Sequence, residues 1–492
     1  MNVVGKMFDT DVLKLINELS QKGIYLWEEQ GRLKYKCKKE KISEEILNEL
    51  RVKKAEIVEF FRKCESNSFP ISPLQSAYLI GEEKNCELGN TNAHYYIEYE
   101  ASNINIERLE ESLNILIENH DALRMIVLKE GKNLILERVS PYKISMYTYI
   151  GTESRKAVRS VWENYTYTPQ TWPMFHFEVG KAEKGNDVLH ISFDCLILDA
   201  WSAKKLISEL FKLYSGERLK FPEFTFKDYL EQAVNYDYKQ EKQAESYWKE
   251  KISHMKIPSF KTRIPIEAVV EPKFERVEYT FAIEETQKLY ERIKKYGLTP
   301  AAAICMLFMK TICDTFALEE ITLDITLFNR LPLDKEINDV IGEFTNIGLA
   351  TYYKTEDISI LEAAKNVQAQ FWKLVQYREY DGTKLLKALG KGGVGKAIFP
   401  IVYTCMLGGK DDIEQVVFHE VYALSKTPQV MLDHHVRDDL GSLKLSFDYV
   451  IELFAREDME KIMDTYVRNI LNAITVLDLS LIHISEPTRQ AE

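Results

Sequence analysis

Paired cysteines are the first thing missing from this chain. Seven cysteines (37, 64, 86, 195, 305, 313 and 405) are scattered through 492 residues, with no C-x-x-C and no cluster with histidine. That argues against a stapled secreted scaffold, fits a reducing compartment and leaves no ligand spacing for a metal site. Cys195, Cys305 and Cys313 lie in apolar runs, where a small buried hydrophobe is the plain reading. Long apolar runs are missing as well. None reaches bilayer-spanning length, and the opening MNVVGKMFDTDVLKL has early acids and no extended apolar segment. A cytoplasmic location is therefore expected. Nor is there a basic excess: a net charge of −12 disfavours a general nucleic-acid binder, which must neutralise phosphates. No short-period repeat is found.

What is present is a globular composition, 45% hydrophobic and 28% charged, in a chain too long for one core. A small domain followed by a larger two-lobed one is expected. Residues 8–63 read as the small unit. Asp9 or Thr10 can cap a helix whose apolar face is Val12, Leu13, Leu15, Ile16 and Leu19. Residues 24–27 and 33–37 read as strands around a turn, with Arg32, Lys34, Lys36 and Lys38 alternating with Leu33, Tyr35 and Cys37. One strand face should be basic and the other buried. Ser43 opens a helical pattern that continues to Arg62, and the polar break at residues 65–68 sets the boundary of a domain at 1–64.

From residue 69, helical and strand patterns alternate without a long linker, which suggests two α/β lobes packed as one body. Helical spacing covers 104–119, an all-round apolar helix covers 299–316, and 187–193 and 321–328 read as strands. The lobes are placed at 69–245 and 246–477, and residues 478–492 read as a non-native tail because they continue no pattern. The oddest segment follows the strand at 187–193. Asp194 and Asp199 bracket four apolar residues, and Ser202 comes three later. Burying either carboxylate unpaired would cost on the order of several kcal/mol, so each needs an arginine, a helix N-terminus or backbone donors. Residue chemistry alone leaves a structural ion pair and a catalytic role both open.

This D-x-x-x-x-D-x-x-S pattern resembles the signature of heterocyclization domains of non-ribosomal peptide synthetases, in the condensation-domain superfamily. They carry it in place of the H-H-x-x-x-D-G of ordinary condensation domains. Further blocks resemble the family in order: FPISPLQSAYLIG at 69–81, NHDALR at 119–124, TLFNRLP at 326–332, NDVIGEFT at 338–345, PIVYTCML at 400–407 and TPQVMLDH at 427–434. The departures are Glu82 for the usual Arg, Cys405 for Ser and Met431 for Trp. Ahead of them, residues 23–27, 31–35 and 47–57 resemble the docking domain typified by the tubulysin assembly line.

The resemblance implies an α/β fold of two chloramphenicol-acetyltransferase-like lobes in a V shape with a central tunnel, plus a small ααββαα docking domain. It implies joining a carrier-bound acyl thioester to carrier-bound Cys, Ser or Thr, then closing the amide to a thiazoline or oxazoline. By motif match Asp433 is the acid/base and Thr404 holds the hydroxyl to be expelled. Asp194 and Asp199 hold the tunnel's shape, Ser202 caps a helix, and Arg330 pairs with a motif Asp. Asn329 orients the amide or a loop, Gln429 belongs to the last block, and His434 lines the pocket beside Asp433. No cofactor is expected on this chain, since partner carrier proteins supply the phosphopantetheine arms. Residues 1–64 should receive the upstream subunit, with Arg32, Lys34, Lys36 and Lys38 facing an acidic or carboxylate-ended tail. A condensation-only enzyme and a non-catalytic docking module are the alternatives.

Three features read as decoys. His434-His435 begins an H-H-x-x-x-D string, but its glycine comes one residue late. Residues 391–396 (KGGVGK) resemble a phosphate loop, yet a helix precedes it, a strand follows, and Ala397 replaces the required hydroxyl. Asp411, Asp412 and His419 give no metal spacing.

Overall fold

The computed structural model describes residues 12, 15–16, 18–19, 24–29, 31–37, 42–236, 241–355, 357–389, 395–408 and 418–476. Among them no single helix is long and apolar enough to cross a membrane. The small unit is built around an antiparallel pair, β1 (Ile24–Glu29) and β2 (Arg32–Cys37), turned through Gly31 at φ +79°. A residue without Cβ suits that left-handed turn. The helical pattern from Ser43 is two helices, Glu44–Val52 and Lys54–Asn67, broken at Lys53, and Ser43 caps the first by accepting from the Ile46 N–H. Arg32, Lys34 and Lys36 are exposed as expected, while Lys38 lies outside the described residues. Tyr35, expected to be buried, is 50% exposed, because a lone two-stranded ribbon is not covered along its length.

The larger part begins with β3 (Phe69–Pro70), β4 (His94–Ala101), β5 (Met125–Leu128) and β6 (Lys132–Ile135). It continues with β7 (Ser145–Tyr149), β8 (Phe175–Ala182) and β9 (Asp187–Asp194). The second half supplies β10 (Phe274–Thr280), β11 (Glu320–Phe328), β12 (Thr345–Tyr353) and β13 (Ile401–Met406). Last come β14 (His419–Lys426), β15 (Leu432–Asp439) and β16 (Ser442–Val450). One sheet has the order β14-β4-β9-β8-β7 and another β10-β16-β15-β13-β11-β12. The apolar helix Pro300–Phe316 packs inside the core of the second lobe, as its composition requires.

Two segments of the second half cross into the first lobe. Strand β14 pairs antiparallel with β4 and so extends the first lobe's sheet. The connection between β11 and β12 buries Leu331, Ile337, Val340, Ile341 and Phe344 in the first lobe's core. The docking unit is also joined rather than tethered: Val12, Leu15, Leu50, Ile57 and Phe60 share one core with Ile126, Leu134 and Leu136.

The face of the six-stranded sheet toward the first lobe is polar. Its β15 presents Asp433, His435 and Arg437 there, while Leu432, His434 and Val436 point into the core, as the two-residue period of a strand demands. Arg437 and Glu420 of β14 form a close ion pair across the lobe junction, their side chains 16% and 18% exposed. Leaving one member of such a pair alone costs about 3–5 kcal/mol. An Arg437→Met variant should therefore lose a few kcal/mol of stability in urea unfolding. If the two lobes unfold as one unit, the loss should leave a single transition.

Candidate active site

Strand register brings the site together from five strands, β10, β11, β13, β15 and β16. One row across the sheet runs Arg276, Asp448, Asp433, Val402, Asp324, and the next runs Glu278, Ser446, His435, Thr404. The Thr404 hydroxyl shares a hydrogen bond with that of Thr326 at 2.8 Å. Asp433 and Thr404 thus stand on adjacent strands of one face, and both are 5% exposed. Sequence blocks at 400–407 and 427–434 meet here because β13 and β15 pair in parallel.

His435 stands between two carboxylates. Its Nε2 is 3.2 Å from Asp433 Oδ2 and 3.4 Å from Asp448 Oδ2. It is aligned on neither, so the contact is a shared ion pair more than a directed hydrogen bond. Burial alone would push the imidazole down, but Asp433 and then Asp448 outweigh it and carry it up to about 9. Asp448 is fixed on its other side, accepting from Arg276 at 2.7 and 2.5 Å and from the Ser425 N–H at 2.9 Å. Asp433 has no such support: its Oδ1 is buried without a hydrogen-bond partner. A cavity of about 320 Å³ between the lobes is lined by His435, Arg276 and Arg437 on one side and by Tyr95, Cys195 and Lys204 on the other. The Tyr78 and Cys195 side chains face Asp433 from the first lobe, and burial together with the surrounding carboxylates keeps both groups protonated.

The motif carboxylates are occupied elsewhere. Asp194 ends β9 and accepts from Asn92 Nδ2 at 3.2 Å and the Leu196 N–H at 2.9 Å; burial pushes it up to about 6. Glu82, which stands where the family usually has Arg, is itself pushed up to about 8 by burial and by Asp194, so two carboxyls stand close together here. Asp199 caps the helix Ala200–Ser215, accepting from the Ser202 N–H at 2.7 Å, and also accepts from Arg330 and the Phe344 N–H, each at 3.3 Å. Ser202 is not the cap. It sits in the first turn, where its hydroxyl donates to the Gly342 carbonyl at 2.8 Å and accepts from Arg330 at 2.9 Å. Asp199 takes the capping place because it is the last non-helical residue and its carboxylate reaches the orphan amides.

Asn329 orients a loop, donating to the Arg378 carbonyl at 2.8 Å. Gln429, at φ +65°, donates to the Lys396 carbonyl at 3.2 Å. His434 does not line the pocket. It is fully buried among Phe308, Tyr403, Phe447 and Tyr466, and burial pushes it down to about 3. Of the decoys, residues 391–394, Asp411 and Asp412 lie outside the described residues; Lys396 pairs with Glu87, and His419 opens β14. His435, Asp448, Arg276 and Asp324 were absent from the expected set. Only His435 had a readable signal, the two-residue spacing from Asp433 along a strand.

Comparisons with known proteins bear on the family and the fold. The condensation-domain model matches residues 65–488 and the TubC N-terminal docking domain model matches residues 12–63. The chain belongs to the condensation-domain family, with a docking domain of the TubC type at its start. A solved structure of the EpoB cyclization-docking bidomain from Sorangium cellulosum superposes with a TM-score of 0.75 at 24% identity. That alignment covers 94% of this chain and 98% of that one and establishes a shared fold. Among curated relatives, pyochelin synthetase PchF of Pseudomonas aeruginosa is 24% identical over 92% of this chain and 26% of its own length. Phenyloxazoline synthase MbtB of a Mycobacterium species is 22% identical over 77% of this chain and 33% of its own. The chain thus spans about a third or less of the curated relatives it matches.

The His435 pair fixes a pH dependence. A histidine whose folded value is raised stabilises fully below its unfolded value, near about 6.5, and loses that contribution as pH climbs through about 9. A His435→Gln variant should unfold more easily than wild type at pH 6. The difference should shrink toward pH 9 in urea titrations.

Proposed function

We propose that this chain is a heterocyclization enzyme of a peptide-assembly line. It joins a carrier-bound acyl or peptidyl thioester to carrier-bound Cys, Ser or Thr, then dehydrates the product to a thiazoline or oxazoline. One observation carries the reading: Asp433 and Thr404 meet on one sheet face beside a cationic His435, while Asp194 and Asp199 are committed to structural bonds. The names of similar proteins, a cyclization-docking bidomain and a phenyloxazoline synthase, support it.

The two steps ask different things of the protein. In the first, an amine attacks a thioester, the C–N bond forms and the thiol leaves. The thioester is already activated, so holding two carrier arms end to end supplies much of the acceleration. In the second, the side-chain thiol or hydroxyl attacks the amide carbonyl and the resulting hemiaminal loses water. That step needs placed proton donors and acceptors, each worth on the order of 10²–10⁴-fold. Asp433 takes the proton, and Thr404 orients the departing hydroxyl. The chain itself binds no cofactor in this scheme; the phosphopantetheine arms come with the carrier proteins.

Donor-loaded and Cys-loaded carriers, with products followed by mass, test the reading. Wild type should give the amide minus one further water. Asp433→Asn should accumulate the open amide, with ring closure slowed on the order of 10²-fold or more. If the wild-type product keeps that water, the chain forms only amides. The docking unit is assigned the upstream subunit, whose acidic or carboxylate-ended tail meets Arg32, Lys34 and Lys36. Because deletion of residues 1–64 would uncover Ile126, Leu134 and Leu136, charge reversal is the sharper probe. Lys34→Glu with Lys36→Glu should slow delivery from that subunit and be rescued by artificially concentrated donor.

A further inference from the structure

Asp324 has no role in the scheme above, yet it stands in the catalytic row. On β11 it registers with Val402, which registers with Asp433, so the two carboxyls flank one small side chain on the same face. Asp324 is 9% exposed, and its Oδ1, like that of Asp433, is buried without a hydrogen-bond partner. Two unpartnered carboxyl oxygens then flank Val402, one row from Thr404. The other carboxylates in these rows are neutralised: Asp448 by Arg276 and His435, and Glu278 by Lys444 at 3.2 Å. We propose that Asp324 is a second catalytic residue, the acid that protonates the departing hydroxyl during ring dehydration, with Asp433 as its paired base. The proposal rests on the heterocyclization reading and names the proton donor that reading lacks.

The environments of the two groups differ as an acid and a base require. Burial, and then the charge of Asp433, push Asp324 up to about 8, so it holds its proton at neutral pH. Asp433 instead has the His435 cation 3.2 Å away. The groups facing this pair are the Tyr78 phenol from the helix Pro73–Gly81, the Cys195 thiol after β9, His435 on β15 itself, and Asp448 from β16 with Arg276 of β10 behind it. Val402 and Thr404, from β13 between them, carry no charge.

The step balances without any further reactant. In the hemiaminal, the C–O bond breaks as Asp324 gives its proton to the hydroxyl, which leaves as water. The nitrogen lone pair forms the C=N bond, and the N–H proton passes to Asp433. Asp324 is left ionised and Asp433 protonated; Asp433 gives its proton to water and Asp324 takes one from water, which restores the starting state. The net change is loss of one water.

The test uses the full chain with loaded carriers. Asp324→Asn, isosteric and uncharged, should still fold and form the open amide but close the ring on the order of 10²-fold more slowly. Wild-type ring closure should fall as pH rises through about 8, and the variant's residual rate should lack that limb. A structural role would not remove it. Infrared difference spectra of the free protein provide an arm independent of the reaction. A protonated-carboxyl band should be present at pH 7 and lost by pH 10, and Asp324→Asn should lack one component of it while those of Glu82 and Glu343 remain. Normal ring closure by the variant, or a carboxyl band at pH 7 that the substitution leaves unchanged, would overturn the proposal. A wild type that forms no ring at all, with the band present, would instead sink the heterocyclization reading and the role of Asp324 in it.

Discussion

Asp199 is held three ways at once, and the arrangement of the two lobes depends on it. Its carboxylate caps the helix Ala200–Ser215, accepts from Arg330 and accepts from the Phe344 N–H. Ser202 and Gly342 close the same knot through two hydrogen bonds, and the Arg330 guanidinium also lies 4.1 Å over the Phe344 ring. Arg330 and Phe344 bracket the connection that leaves β11 and returns as β12. The knot therefore sets where β11 stands relative to the first lobe, and with it Asp324 and Thr326. This explains why Asp199 and Ser202 stand three residues apart. A cap, a buried pair and a hydroxyl bridge each need one residue type at one place on the first helical turn.

The lobes meet across a polar sheet face, so the pairing of its charges is informative. Glu420 is satisfied by Arg437, and Asp448 by a bidentate guanidinium and a backbone amide. Such groups hold the structure. Asp433 shares one imidazole with a competitor, and Asp324 keeps a bare buried oxygen. A buried acceptor without a partner is costly unless something else uses it. Within these rows, underbonding sets Asp433 and Asp324 apart more sharply than burial does, since Asp433 and Asp448 are both buried.

Local patterns were legible in the residues. The helix Pro300–Phe316, the strands around Asp187 and Ile321, and the Asp199 helix start all follow from periodicity and capping chemistry. The meeting of Thr404 and Asp433 came only from family resemblance, because pairing between β13 and β15 leaves no trace in either strand. The expectation for His434 failed because a neighbour in sequence was taken for a neighbour in space. On a strand the neighbour of Asp433 is His435, and that much the string LDHHVRDD already allowed. Arg276 and Asp324 depend on register with Asp448 and Val402, 172 and 78 residues away, which no local signal records. The transfer of β14 to the other sheet is equally silent, since a strand's sequence does not state its partner.

The division of labour follows from the chemistry proposed for the chain. An activated thioester asks mainly for two arms held in line, which a knot of structural bonds at the lobe junction can secure without any titrating group. Dehydration of a hemiaminal asks for a donor and an acceptor whose proton affinities lie near the working pH, and such groups cannot also be saturated with structural bonds. The motif that marks the family and the residues that move protons are thus driven apart. The first ends a strand and opens a helix in one lobe, where backbone amides are plentiful. The second lies mid-strand in the other lobe, where the backbone is already paired and a side chain can be left with a free oxygen.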